Sequence, residues 1–190
     1  MFKPRSISES YRPDMLRRQI IASGTLAVAG VGIRGSAALA DPNLEISHTE
    51  EGIHQERVLK ASPRRVYAAL TVESEFDRLI QLSGVMNDPA MATMREPTRL
   101  SPTVGGAFTL FGGYIVGRQI ELVPGERIVQ IWRVQGWPKG VYSIARFELL
   151  DQGGSTRLVF DHTAFPRGQA EHLASGWQEH YWEPLARYLA

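Results

Sequence analysis

Residues 106–163 read GAFTLFGGYIVGRQIELVPGERIVQIWRVQGWPKGVYSIARFELLDQGGSTRLVFDHT. Apolar and polar side chains alternate along short runs, and each run ends on residues that break a strand. Residues 107–111 stop at Gly112-Gly113, 114–123 at Pro124-Gly125, and 127–134 at Gly136-Trp137-Pro138. Residues 141–150 stop at the turn 151–154, and 157–163 stop before Pro166. A period of two puts successive side chains on opposite faces of a strand, and the Gly and Pro positions supply the turns. Five strands joined this closely predict an antiparallel meander.

Working outward, residues 54–60 read as a further strand. Ser62-Pro63 then marks a helix start, with Ser as the cap and Pro at the first helical position. Val66, Tyr67 and Leu70 give that helix an apolar side. Residues 73–82 form a second short helix with Phe76, Leu79, Ile80 and Leu82 as its apolar set. Residues 83–105 have no sustained period and contain Met86, Met91 and Met94. A loop this long inside a domain is usually functional or mobile. After the meander, residues 169–189 read as one long helix whose stripe is Ala170, Leu173, Ala174, Trp177, Tyr181, Leu185 and Leu189. Pro184 inside it should kink it or fix a bend. The fold class is therefore α+β: a curved six-stranded antiparallel sheet, two short helices after its first strand, and a long C-terminal helix covering its apolar face. A twisted sheet wrapped around a helix leaves a cleft between them.

The charge is unevenly placed. Of 21 Lys and Arg, six lie in the first 40 residues, with two of the 20 Asp and Glu. Residues 41–190 thus carry 15 basic against 18 acidic side chains, a formal −3. That balance argues against nucleic acid as a partner, which calls for a basic face. There is no cysteine, so disulfides, thiolate metal sites and cysteine nucleophiles are excluded.

The basic start has the three-part plan of a bacterial signal peptide: Arg17-Arg18, the 14-residue apolar run 20–33, and Ala38-Leu39-Ala40. The run is shorter than the ~20 residues of a spanning helix. Paired arginines ahead of a mildly apolar core resemble the twin-arginine export signal. Leu16 before them and Gln19-Ile20-Ile21 after them depart from that pattern. The expectation is a cleaved leader over residues 1–40, an arm over 41–52, a domain over 53–190, and a periplasmic or secreted product with no membrane span after cleavage.

Several segments together resemble a known family: residues 106–114, 117–129, Trp132-Arg133, 147–149, 156–163, Gly176-Trp177 and Tyr181-Trp182. They are similar to proteins homologous to the C-terminal domain of the activator of heat-shock protein 90 ATPase, within the START-like (SRPBCC) superfamily. The resemblance runs from about Ile53 to Ala190. It implies a helix-grip fold, and it leaves function open, because that superfamily carries lipid carriers, cyclases, hydrolases and chaperone regulators on one scaffold.

Four residues stand out as candidates for a ligand site. Arg118 alternates with Val116, Ile120 and Leu122; if those face the cleft, Arg118 faces it too and would anchor a carboxylate or phosphate. The other reading is an arginine whose head sits in solvent. Trp132, Trp177 and Tyr181 read either as cavity walls or as core, since ligand cavities are lined mainly by apolar and aromatic groups. Trp177 and Tyr181, four apart, should lie together against the sheet. His162 shares a face with Leu158 and Phe160 and reads as a buried histidine held by hydrogen bonds, with Asp161 on the opposite face. His172, Glu179, His180 and Glu183 read as solvated helix charges rather than metal ligands: His172 and Glu179 lie ~10 Å apart along the axis. No nucleophile elbow, dinucleotide fingerprint or phosphate loop occurs, so no cofactor and no catalytic residue is expected. The leading expectation is non-catalytic binding of a small hydrophobic or amphipathic molecule. Its rivals are a partner protein, as in a co-chaperone of heat-shock protein 90, and a cyclase or hydrolase working in the same cleft. An export signal weighs against the co-chaperone, whose bacterial partner is expected in the cytoplasm.

Overall fold

All strands of the sheet pair antiparallel, in the spatial order 46–47, 52–59, 156–163, 143–151, 127–134, 115–123, 107–110 and 99–100. A computed structural model describes residues 51–190 and the backbone of Ile46 and Ser47. The leader and its cleavage site lie outside the described residues, as does most of the arm. The six expected strands are β2 (Gly52–Leu59), β4 (Ala107–Leu110), β5 (Ile115–Val123), β6 (Arg127–Val134), β7 (Ser143–Asp151) and β8 (Thr156–Thr163). Two more, β1 (Ile46–Ser47) and β3 (Arg99–Leu100), are two-residue pieces at the sheet's edges. Such pieces are too short to show a period, which is why the sequence yielded six strands rather than eight.

Strict alternation holds where it was clearest. In β6 every second residue from Ile128 to Val134 is buried, and in β8 every second residue from Thr156 to His162. The exception is β5. Its register against β6 shifts between Gln119 and Glu121, leaving Ile120 as an extra, unpaired residue. A bulge of this kind flips the alternation. Before it, Ile115 and Gln119 point inward; after it, Leu122 does, beside the buried Ile128.

The sheet's concave face is filled by α3 (Ala170–Trp177), one wide π-type turn (Gln178–Trp182) and α4 (Glu183–Leu189), which run on as one helix. Pro184 lacks the N–H that would bond one turn back. The helix accommodates this with the wide turn just before it, where the Glu183 N–H reaches the Gln178 carbonyl five residues back. The expected kink is thus a π-bulge. It brings Tyr181 and Trp182 both into the interior, and Trp177 and Trp182 stack with ring centroids 5.5 Å apart and planes at 18°.

Helices α1 (Pro63–Thr71) and α2 (Glu73–Ser83) close one end. Ser62 caps α1 as expected, its hydroxyl accepting from the Arg65 N–H. The segment after α2 folds back on the β4–β5 corner. There Phe111 adopts φ +50° and Gly112 φ +66°, and the Met94 carbonyl would lie 2.5 Å from any Cβ on Gly112. Only glycine fits both the conformation and the contact. This seats the methionine-rich loop against the sheet and makes it one wall of the cleft.

Candidate functional site

A cavity of ≈250 Å³ lies where the C-terminal helix, the β5–β6 end of the sheet and the 85–91 segment meet. Leu173, Trp177 and Tyr181 enter it from the helix, Ile115, Trp132 and Val134 from the sheet, and Phe111 and Tyr114 from the β4–β5 corner. Val85, Ala90 and Met91 complete the wall from the loop. Asp88, His172, Ser175, Glu179 and His180 supply the polar groups of the lining. The lining contains no lysine or arginine.

The inner wall is a connected set of rings. Trp177 lies 4.2 Å from Tyr181, 4.3 Å from Phe160 and 5.4 Å from Trp132, centroid to centroid. Phe111 and Phe76 pack edge-on to Tyr181 at 5.4 and 5.7 Å. Tilted and edge-on pairs at these separations are the favoured aromatic arrangements.

Behind the wall runs a polar network whose protons can be assigned. The Trp177 indole N–H, which can only donate, meets His162 Nδ1 at 2.9 Å. Nδ1 therefore accepts, and the proton of the neutral ring sits on Nε2. From there it points at Ser143 Oγ, 2.7 Å away, and the Ser143 hydroxyl donates to the Trp132 carbonyl at 3.0 Å. His162 is fully buried, and that burial pushes its pKa down to about 3. A second link joins Trp182 to the sheet: its indole donates to Gln55 Oε1, while Gln55 Nε2 donates to the Ala174 carbonyl at 3.2 Å.

Three of the four residues singled out from sequence come together here. Trp132, Trp177 and Tyr181 all line the cavity, and all three are buried. Arg118 does not join them. It stands exposed on the opposite face of the sheet, with Nη1 donating to the Gly105 carbonyl at 2.9 Å. The premise was that Val116, Arg118, Ile120 and Leu122 share a face, and the bulge at Ile120 separates Leu122 from the others. Asp161 likewise faces outward, where it meets His54 at 2.7 Å across the β2–β8 ladder. Its partnership raises the His54 pKa. Arg146 and Glu148 pair with each other on that same face.

His172 and Glu179 are exposed, as solvated helix charges should be, and together with the half-buried His180 they also stand on the cavity's lining. Among the described residues no group of three or more His, Asp or Glu side chains is placed to hold an ion. Sequence reasoning missed the lining residues from the loop and corner, Val85, Met91, Phe111 and Tyr114. The available signal was the loop itself: long, unpatterned and rich in methionine.

With the geometry established, comparison with known proteins gives a consistent result. The family model described as Activator of Hsp90 ATPase homolog 1-like protein matches residues 60–190. A human protein, Activator of 90 kDa heat shock protein ATPase homolog 1, is 29% identical over 124 residues, covering 65% of this chain and 32% of the human one. The mouse homolog 2 is 28% identical over 142 residues, covering 70% of this chain and 43% of the mouse one. This chain thus spans between a third and a half of the length of these relatives. The crystal structure of an HSP90 activator from Plasmodium falciparum superposes with a TM-score of 0.62 at 22% identity, covering 73% of this chain and 95% of that one. At that identity the superposition speaks for the fold, the helix-grip arrangement of sheet around helix. The chain belongs to the family of Activator of Hsp90 ATPase homolog 1-like proteins.

Proposed function

We propose that this domain binds a small apolar or amphipathic molecule in the cavity between its C-terminal helix and the β5–β6 end of the sheet. The observation that carries this reading is the cavity itself: ≈250 Å³, with aromatic and aliphatic side chains over most of its wall and Asp88, His172, Ser175, Glu179 and His180 as its polar side. An apolar cavity of ~150 Å³ accepts benzene, so one of this size suits a guest of about ten non-hydrogen atoms. Burial of the guest's apolar surface would drive binding. Gly176 adds support. It sits inside α3 on the cavity lining, and a Cβ there meets no atom within 4 Å. Nothing packs closely enough to demand glycine, although glycine in a helix costs ~1 kcal/mol relative to alanine.

Native mass spectrometry of the protein purified from its own host should reveal a co-purifying small molecule. In vitro, tetralin (1,2,3,4-tetrahydronaphthalene) should change the tryptophan emission saturably, since Trp132 and Trp177 form the wall. Gly176→Phe should block that titration by plugging the mouth while leaving the far-ultraviolet circular dichroism intact. No co-purifying molecule together with no saturable tetralin binding would sink the reading.

The relatives' names support a second reading, a co-chaperone acting on a heat-shock protein 90 ATPase. It predicts stimulation of that ATPase by the purified domain, which ligand carriage does not. Catalysis in the cavity draws less support. Arg118 and Asp161 face away, and the Nδ1 lone pair of His162 is occupied by the Trp177 N–H.

We propose further that the chain is exported, on the strength of Arg17-Arg18, the short apolar run and Ala38-Leu39-Ala40. N-terminal sequencing of the periplasmic or secreted protein should begin at Asp41. Changing both Arg17 and Arg18 to Lys should hold the protein in the cytoplasm if the twin-arginine route carries it, because a general secretory signal tolerates lysine. Soluble cytoplasmic protein that still begins at Met1 in the unmodified chain would refute export.

A further inference from the structure

Behind the cavity lies a second, inner void of ≈10 Å³. That is at the lower limit of what one water molecule needs and too small for an organic group. Leu70 and Phe76 wall it from α1 and α2, and Leu110, Ile128, Gln130 and Phe147 wall it from the sheet. Apart from Gln130, whose Nε2 donates to Gln119 Oε1 at 3.2 Å, these walls are apolar. Of the described residues, Tyr181 alone lines both spaces. Its ring is packed from each side. Trp177 at 4.2 Å and Phe111 at 5.4 Å belong to the cavity, and Phe76 at 5.7 Å belongs to the inner void. The wide turn of the helix places the ring there, because it buries Tyr181 and Trp182 together.

We propose that Tyr181 is a partition that sets the depth of the cavity, so that the site takes compact apolar molecules of one or two rings and excludes long-chain ones such as fatty acyl groups. This rests on the ligand-binding reading above and specifies the shape of that ligand. The cavity as it stands holds about ten non-hydrogen atoms. The further apolar space behind it lies on the far side of the Tyr181 ring. A longer chain leaves its excess outside the mouth in water, where it gains nothing from burial. Nor does the ring swing aside cheaply. It has three aromatic neighbours, and side chains in a close-packed interior sit in fixed rotamers. Removing the ring joins the two spaces and adds room for about seven non-hydrogen atoms, less whatever the surroundings reclaim by relaxing. The joined cavity would reach under the helix to α1 and α2.

The test uses the n-alkylbenzenes from toluene to hexylbenzene, which lengthen by a single CH₂ at each step. Isothermal titration of the unmodified protein should show affinity rising with chain length as far as butylbenzene, with its ten or so carbons, and then levelling at about that length. In Tyr181→Ala the rise should continue, with hexylbenzene bound about tenfold more tightly than butylbenzene, the return on burying two more CH₂ groups. Tyr181→Leu should move the same way and gives a second variant should the first fold poorly. Leu70→Ala enlarges the inner void without touching the cavity's lining, and should leave the unmodified profile in place. A Tyr181→Ala or Tyr181→Leu profile that levels where the unmodified one does overturns the proposal and leaves apolar binding standing. So does an affinity that climbs through hexylbenzene in the unmodified protein, or in Leu70→Ala, since the two spaces would then already communicate. Binding of no member of the series overturns the ligand-binding reading and this inference with it.

Discussion

Trp177→Ala should destabilise the domain by about 5 kcal/mol, measured by urea unfolding in the absence of ligand. Two losses add. Truncating a buried Trp removes its transfer free energy and leaves a cavity, together ~3–5 kcal/mol. Trp177 is 2% exposed and contacts the rings of Trp132, Phe147, Phe160, His162, Tyr181 and Trp182, so the hole has little freedom to collapse. The second loss is the hydrogen bond to His162 Nδ1, whose lone pair would be left buried and unmatched at a cost of ~1–3 kcal/mol. Trp177→Phe separates the two: it keeps a ring and loses the N–H, and should cost the smaller amount. An Ala variant destabilised by under ~2 kcal/mol would place Trp177 as a lightly packed wall of the cavity instead.

Trp177 also marks how far the sequence could be read. Its place on the helix's inner stripe, and its contact with Tyr181 four residues on, followed from helical spacing. So did the strands β6 and β8, where alternation is unbroken. What spacing could not reveal was anything that breaks the period. The extra residue at Ile120 turned the face of β5 and carried Arg118 away from the cleft. The wide turn before Pro184 brought Trp182 inward beside Tyr181, although an ideal helix buries only one of two adjacent residues as fully. The cavity's third wall comes from residues 85–91 and Phe111, and their positions depend on the close approach of Met94 to Gly112. That is a contact between segments with no local pattern to announce it. The His162 network could be anticipated only as a buried histidine. Its partners, Ser143 and Trp177, lie on β7 and α3, and their meeting is a matter of tertiary packing.

That network makes acid stability the last expectation. His162 is neutral in the fold because burial disfavours the cation, and because Nδ1 faces the Trp177 N–H, where a second proton would set donor against donor. Its pKa falls from 6.5 to about 3 on folding. Between those values the unfolded chain binds a proton that the folded chain does not, so stability rises with pH across the window and is lost as pH falls. Each pH unit is worth ~1.4 kcal/mol, so going from pH 7.5 to pH 5 should remove about 2 kcal/mol, and continuing to pH 3 about 4 in all. Other groups titrate as well. His54, paired with Asp161 and about half exposed, has a raised pKa and so contributes stability that is present in acid and lost as pH rises. Glu56 and Glu75, whose pKa values are lowered by Arg157 and by Tyr188 with Arg65, lose their contribution only in stronger acid. A difference measurement cancels all three. Urea unfolding from pH 7.5 to 5 should show His162→Gln less stable than the unmodified protein at the upper end, with the gap closing by about 2 kcal/mol at the lower. Parallel curves would mean that His162 carries its proton in the folded state, and the assignment of Nδ1 as the acceptor of the Trp177 N–H would be wrong.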